Sequence, residues 1–157
     1  MDGFDHAVAI VLEREGVLSD HPADDGGLTK YGISQRAYPH LDIRNLTIDQ
    51  AIEIYRRDFW DRCRCGRLPW PFALALFDGA VNHGPGLAAR LMQKAVHAPA
   101  DGIVGPFTIG RIQRAGDDEL ADYFARRGVL YGNHPDWRTM GLGWMRRIFL
   151  IHREAID

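Results

Sequence analysis

Residues Glu13 to Ser34 read EREGVLSDHPADDGGLTKYGIS. Here an apolar, helix-spaced segment gives way to a polar, glycine-rich loop. Upstream, Phe4, Ala7, Val8, Val11 and Leu12 recur at helical spacing, Asp2 can cap the helix, and Gly16 ends it. From Gly16 to Gly32 the helical period is gone, and Pro22, Gly26 and Gly27 predict loops with a short two- or three-stranded sheet. The Asp24-Asp25-Gly26-Gly27 run is turn chemistry, because glycine takes positive φ at no steric cost. Glu15 stands out against this background. An anion is disfavoured at the negative end of a helix dipole, so stability alone gives no reason for an acid just before Gly16.

Asp24 follows Glu15 by nine positions and Thr29 follows Asp24 by five. Two carboxyl groups and a hydroxyl on either side of a loop suit glycoside cleavage. One carboxyl must stay protonated to donate to the leaving oxygen, and the other must stay ionised to support a cationic transition state or activate water. A helix end favours the neutral acid at position 15, a polar loop offers donors to Asp24, and Thr29 can hold the attacking water. Spacing alone leaves the alternative open: a solvated helix-end Glu, an Asp-Gly turn and a solvated Thr. Glu13 is as close to the helix end but lies further from the Gly break. Asp24 and Asp25 cannot both enter one cleft from an extended loop, where side chains alternate, and position favours Asp24. A water shared by Asp24 and Thr29 predicts inversion, with the Glu15 and Asp24 carboxyls roughly 6.5–9.5 Å apart.

The remainder reads as helices. Ser34 is placed to cap a short helix through Tyr38, which Pro39 stops. Thr47 to Gln50 has the form of a capping box opening a helix with Ala51, Ile52, Tyr55 and Phe59 on one face. PFALALFDGAVNHG, from Pro71, is apolar nearly all round and predicts a buried central helix, broken at Gly84-Pro85-Gly86. GLAARLMQKAV is the next helix. A short one is expected from Thr108 to Arg114 with Thr108 as its cap, another from Asp117 or Asp118 to Tyr131, and a last one over GWMRRIFLIHREAI. Asp78 and Asn82, four apart in the apolar helix, share a face. They either line a cleft beside Glu15, where they bond substrate amides or position the acid, or form a buried polar pair bonded to backbone. Tyr31 is either a platform for a sugar ring or a packed aromatic.

A chain of 157 residues with 46% hydrophobic content predicts one domain with its own core, α+β and predominantly helical, with a small irregular or β lobe near the N-terminus. Net charge of −2 gives no field for nucleic acid. No apolar run reaches the roughly 18 residues of a membrane span, so no stable membrane insertion is expected. The start has no basic n-region, which predicts cytoplasmic synthesis without a signal peptide. The two cysteines, Cys63 and Cys65, are expected as reduced thiols, and the seven His residues never pair at ligand spacing, so neither metal nor cofactor is implied. The Arg56, Arg57, Arg62, Arg64, Arg67 run is a solvated face or a steering patch for an anionic target.

Glu15-Gly16, then Asp24-Asp25-Gly26-Gly27-Leu28-Thr29-Lys30-Tyr31-Gly32-Ile33-Ser34, resembles the signature of glycoside hydrolase family 108, phage-endolysin-like N-acetylmuramidases sometimes labelled secretion activators. LFDGAVNHG, LMQKAV, DGIVGPFTIG and GWMRR follow in the family's order. The resemblance implies a lysozyme-like fold over 1–157, with the part from about 90 similar to the family's peptidoglycan-binding-like helical subregion. It implies a monomer cleaving the β-1,4 bond between N-acetylmuramic acid and N-acetylglucosamine in peptidoglycan glycan strands. Glu15 would be the general acid, Asp24 the second carboxylate and Thr29 the water-holding hydroxyl, with Tyr31, Asp78 and Asn82 binding substrate. Without a signal peptide the protein would reach the wall through a holin or lysis. The chain departs from the family at Val17-Leu18, where Gly and Tyr are usual, and at Asp25, where a small residue or Pro is usual. A non-catalytic wall-binding or secretion-associated module, and a lytic transglycosylase or chitinase of the same fold, are the competing expectations.

Overall fold

The computed structural model describes residues 3–15, 18–19 and 28–157. The proposed cap Asp2, Gly16, Asp24, Asp25 and the Gly26-Gly27 turn lie outside the described residues. The chain divides into two compact units, Met1–Asp58 and Phe59–Asp157.

In the first unit, helix α1 (Gly3–Glu15) buries Phe4, Ala7, Val8, Ile10 and Val11 on one face. The Arg56 guanidinium lies 4.1 Å from the Phe4 ring centroid and 3.6 Å from Asp5, tying the start of α1 to the chain just after Tyr55. Three two-residue strands, β1 (Leu18–Ser19), β2 (Thr29–Lys30) and β3 (Ile33–Ser34), form an antiparallel sheet in that order. Lys30 pairs with Ile33, so Tyr31 and Gly32 alone make the β2–β3 turn. Both have positive φ, 51° and 76°, the geometry of a type I′ turn whose twist matches the strands it joins. The α+β character and the small N-terminal β lobe are as expected.

The helix expected from Ser34 to Tyr38 is a single turn. Ser34 Oγ accepts the Ala37 N–H and Ser34 O accepts the Tyr38 N–H, but the Gln35 side-chain amide then donates to the carbonyls of Tyr38 and Leu41. Pro39 leaves no room for propagation, and a side chain takes the carbonyls a helix would have used. Helix α2 (Ile48–Tyr55) opens with the expected reciprocal cap: Thr47 Oγ1 accepts the Gln50 N–H and Gln50 Oε1 accepts the Thr47 N–H. It continues as a π-helical turn, Arg56–Asp61.

The second unit is built around α3 (Trp70–His83), in which every residue from Phe72 to Ala80 is buried. A helix apolar on all sides is covered on all sides, here by α4 (Pro85–Ala95), α6 (Asp117–Gly132) and α7 (Trp137–Ile156). Gly79 permits the α6 contact, since a Cβ there would run into the Tyr123 hydroxyl. Gly84, at φ 82°, ends α3 and lets Pro85 start α4 at once.

Three helix starts differ from expectation. Helix α5 spans Pro106–Ile112, so Thr108 lies inside it and is buried; its hydroxyl accepts from Gln93 Nε2 at 3.2 Å instead of capping. The Gln93 side chain also donates to Asp101 Oδ1 and accepts the Gly102 N–H, fixing the preceding turn. At α6 the cap is Gly116, whose N–H donates to Glu119 at 2.8 Å, and Asp117 and Asp118 sit in the first turn where acids suit the dipole. Helix α7 starts at Trp137, before Gly141 and Gly143. A Cβ on Gly141 would meet the Trp137 ring at 2.6 Å, so this glycine serves aromatic packing and does not break the helix. Cys63 and Cys65 are free and buried.

Candidate active site

Glu15 is the last residue of α1 and is half-buried. The backbone laid against it is the β2–β3 turn. A Cβ added to Gly32 would meet Glu15 Cγ and Oε2, both at 3.0 Å, as well as the Tyr55 hydroxyl. The same hydroxyl donates to Tyr31 O at 2.9 Å, and Tyr55 is fully buried at the end of α2. A helix end and a type I′ turn anchored by the Tyr55 phenol thus meet at one carboxyl group. Sequence reasoning missed Gly32 and Tyr55 as supports of Glu15. The signal for the turn was present, since a two-residue gap ending in Gly between β-prone residues is a hairpin signature.

Gly32 therefore has two reasons to be glycine. Gly32→Ala is expected to lose about 1 kcal/mol from the positive φ alone and to displace the Glu15 side chain, cutting turnover roughly tenfold or more. Thermal melting and turnover of purified wall measure the two effects, and turnover within about twofold of wild type would show that the turn does not position Glu15.

Thr29 lies on the central strand, opposite Ser19 on β1 and Ser34 on β3, and is half-buried. Tyr31 is half-buried, with Lys30 Nζ 5.5 Å from its ring centroid. Lys30 also donates to Arg44 O at 3.1 Å. Asp24, as noted, is outside the described residues.

Asp78 and Asn82 belong to the second unit. Asp78 is 0% exposed and its carboxylate is occupied on both sides. Oδ2 accepts from an Arg127 terminal nitrogen at 2.7 Å, and Oδ1 accepts from Arg147 Nε at 2.9 Å. The expectation that Asp78 bonds substrate is corrected by this: its partners are two guanidinium groups inside the protein. Burial would raise its pKa, but Arg127 and Arg147 outweigh burial and hold it below the usual carboxylate range. Asn82, one helical turn on, is exposed; its Nδ2 donates to Asp78 O and its Oδ1 stands 3.5 Å from the Tyr131 hydroxyl. Asn82 is the member of the pair that faces solvent.

His83 completes this cluster, 3.4 Å from Arg127 Nε and 4.9 Å between ring centroids from Tyr131. Burial, then the positive charge of Arg127, pushes its pKa down to about 4. A histidine that resists protonation in the fold takes up protons on unfolding between about pH 6.5 and 4. Its contribution is therefore complete above pH 6.5 and lost as pH falls through that window. For a half-buried ring the effect is about 1–2 kcal/mol. Melting temperature should decline from pH 6.5 to 4, and His83→Gln should flatten the decline; an unchanged slope would remove His83 as its source.

Among the described residues, no three His, Cys, Asp or Glu side chains gather as metal ligands. No helix of the described residues is long and apolar enough to cross a membrane.

The profile of Glycosyl hydrolase 108 matches residues 8–84, a span containing Glu15, Asp24, Thr29, Gly32, Tyr55, Asp78 and Asn82. Over these residues the chain is similar to glycosyl hydrolase family 108. The solved structure of Brucella abortus SagA is similar to this chain at TM-score 0.89 and 28% identity, covering 98% of this chain and 93% of SagA. No curated protein matches. The match supports glycoside hydrolase activity, with peptidoglycan hydrolysis as its general class, and the fold is a lysozyme-like α+β one.

Proposed function

We propose that this family 108 enzyme is an N-acetylmuramidase that hydrolyses the β-1,4 bond between N-acetylmuramic acid and N-acetylglucosamine. The observation that carries the reading is the placement of Glu15: a carboxyl at a helix C-terminus, packed on one side by the Tyr31-Gly32 turn. A fixed carboxyl at the negative end of a helix suits proton donation to the glycosidic oxygen as the bond to the anomeric carbon breaks. Asp24, which lies between β1 and β2 in the sequence, supports the oxocarbenium-like transition state and takes a proton from water; Thr29, on β2, holds that water. The water attacks the face opposite the leaving group, so the anomeric configuration inverts. Glycan strands of the wall are the partner, the enzyme works as a monomer, and it acts after cytoplasmic synthesis and release.

A lytic transglycosylase would share Glu15 and dispense with Asp24, because the substrate's own hydroxyl attacks. Asp24→Asn is expected to lose roughly 10²-fold or more, and Asp25→Asn to stay within a few-fold. Proton NMR of the anomer formed at early times should show inversion. A healthy Asp24→Asn beside a dead Asp25→Asn would reverse the assignment, and retained products would remove Thr29 from the water-holding role.

A further inference from the structure

Helix α7 presents a face that nothing in the second unit covers. Arg138, Leu142, Arg146, Phe149 and Arg153 follow one another at intervals of four, four, three and four, which sets them on one side of the helix. Leu142 is 78% and Phe149 66% exposed, and all three arginines are exposed. From Trp137 to Arg153 the helix contains no acid at all. Its other arginine in that span, Arg147, is committed to Asp78. Beside the face runs an apolar groove of about 550 Å³ between α6 and α7, walled by Ala125, Gly128 and Gly132 on one side and Met145 and Phe149 on the other. Val129, 65% exposed, continues the apolar surface onto α6.

The charges around this surface have a direction. The acids of α6 collect in its first turn at Asp117, Asp118 and Glu119, while Asp122 is paired with Arg126 at 2.7 Å. Glu154 pairs with Arg153 at 3.1 Å, an exposed contact of little energetic weight. Among the described residues no carboxylate pairs with Arg138 or Arg146, which flank the exposed Leu142. Long arginine stems lie along apolar surface while their heads reach for anions, and a helix that alternates such residues with Leu and Phe settles at a lipid interface.

We propose that α7 is a peripheral docking face for an anionic phospholipid surface, with Leu142 and Phe149 entering the headgroup layer and Arg138, Arg146 and Arg153 meeting its phosphates. The groove beside them receives acyl chains. A protein helix or a second copy of this chain could also cover an apolar groove. The lipid surface fits better because Leu142 and Phe149 project into solvent between arginines that have positive charge to spend on an anionic plane.

The test is flotation of the full-length protein with vesicles of phosphatidylcholine, with and without about 30% phosphatidylglycerol, at low and high salt. Binding should require the anionic lipid and weaken with salt. Phe149→Glu and Arg146→Glu should each lower partition roughly tenfold or more, while turnover of soluble glycan fragments stays at the wild-type level. Equal binding to uncharged vesicles, or binding untouched by either substitution, would overturn the proposal. So would absence of vesicle binding together with a dimer in light scattering that Phe149→Glu dissociates, which would assign the face to a second copy.

Discussion

Glu15→Gln is expected to fold and melt as the wild type does and to lose about 10²-fold or more of its wall-degrading activity. The amide fills the same space, so the Gly32 backbone still finds a side chain of the same shape against it. What it lacks is a proton that can be given to a departing sugar oxygen. Departure of an alkoxide without protonation is the step a glycosidase must avoid, which is why one substitution is expected to outweigh any change in binding. The comparison with Gly32→Ala is informative. Gln removes the proton and keeps the geometry, whereas Ala keeps the proton and disturbs the geometry. Both should reduce turnover, but only the second should lower thermal stability. Activity of Glu15→Gln within a few-fold of wild type would take Glu15 out of the mechanism.

The largest stability effect is expected at Asp78. Arg127 is fully buried, the Arg147 side chain is 15% exposed, and one carboxylate serves both. Asp78→Ala leaves the fully buried Arg127 guanidinium without the carboxylate that pairs with it, which costs about 3–5 kcal/mol. For a chain of this size that is a fall in melting temperature of roughly 6–20 °C. Replacing Asp78 and Arg127 together by apolar residues of matching volume should recover much of the loss, since the penalty comes from unpaired charge more than from a missing attraction. Asp78→Ala with an unchanged melting point would show that the cluster does not hold α3, α6 and α7 together. The pair also has a pH signature. Because the folded carboxyl titrates below its ordinary range, its contribution is present above about pH 4 and lost as pH falls further, beneath the window in which His83 acts.

How much of this was legible beforehand differed by kind of signal. Local chemistry with its own stereochemical reason could be read directly: the Thr47–Gln50 cap, the buried α3, and the end of α1 at Glu15. Glycines misled because the sequence does not say what they are for. The last helix was expected to begin at Gly143, but it begins at Trp137, and Gly141 inside it seats the Trp137 ring. Gly32 looked like part of a motif, and it is there to bring backbone against Glu15. Long-range pairing was invisible. Asp78 meets Arg127 across 49 positions and Arg147 across 69, and no helical period encodes those partners, so a structural carboxylate could be taken for a substrate ligand. Thr108 shows the same failure at shorter range, its hydroxyl claimed by Gln93, 15 positions before it.

The central claim is hydrolysis of one bond by proton donation from Glu15. Mass spectrometry of the products released from purified peptidoglycan tests it most directly, with reduction by borohydride marking the new ends. Fragments ending in reducible N-acetylmuramic acid are expected from the wild type and from Asp25→Asn, and none from Glu15→Gln. Fragments ending in non-reducible anhydro sugar, or in reducible N-acetylglucosamine, would contradict it.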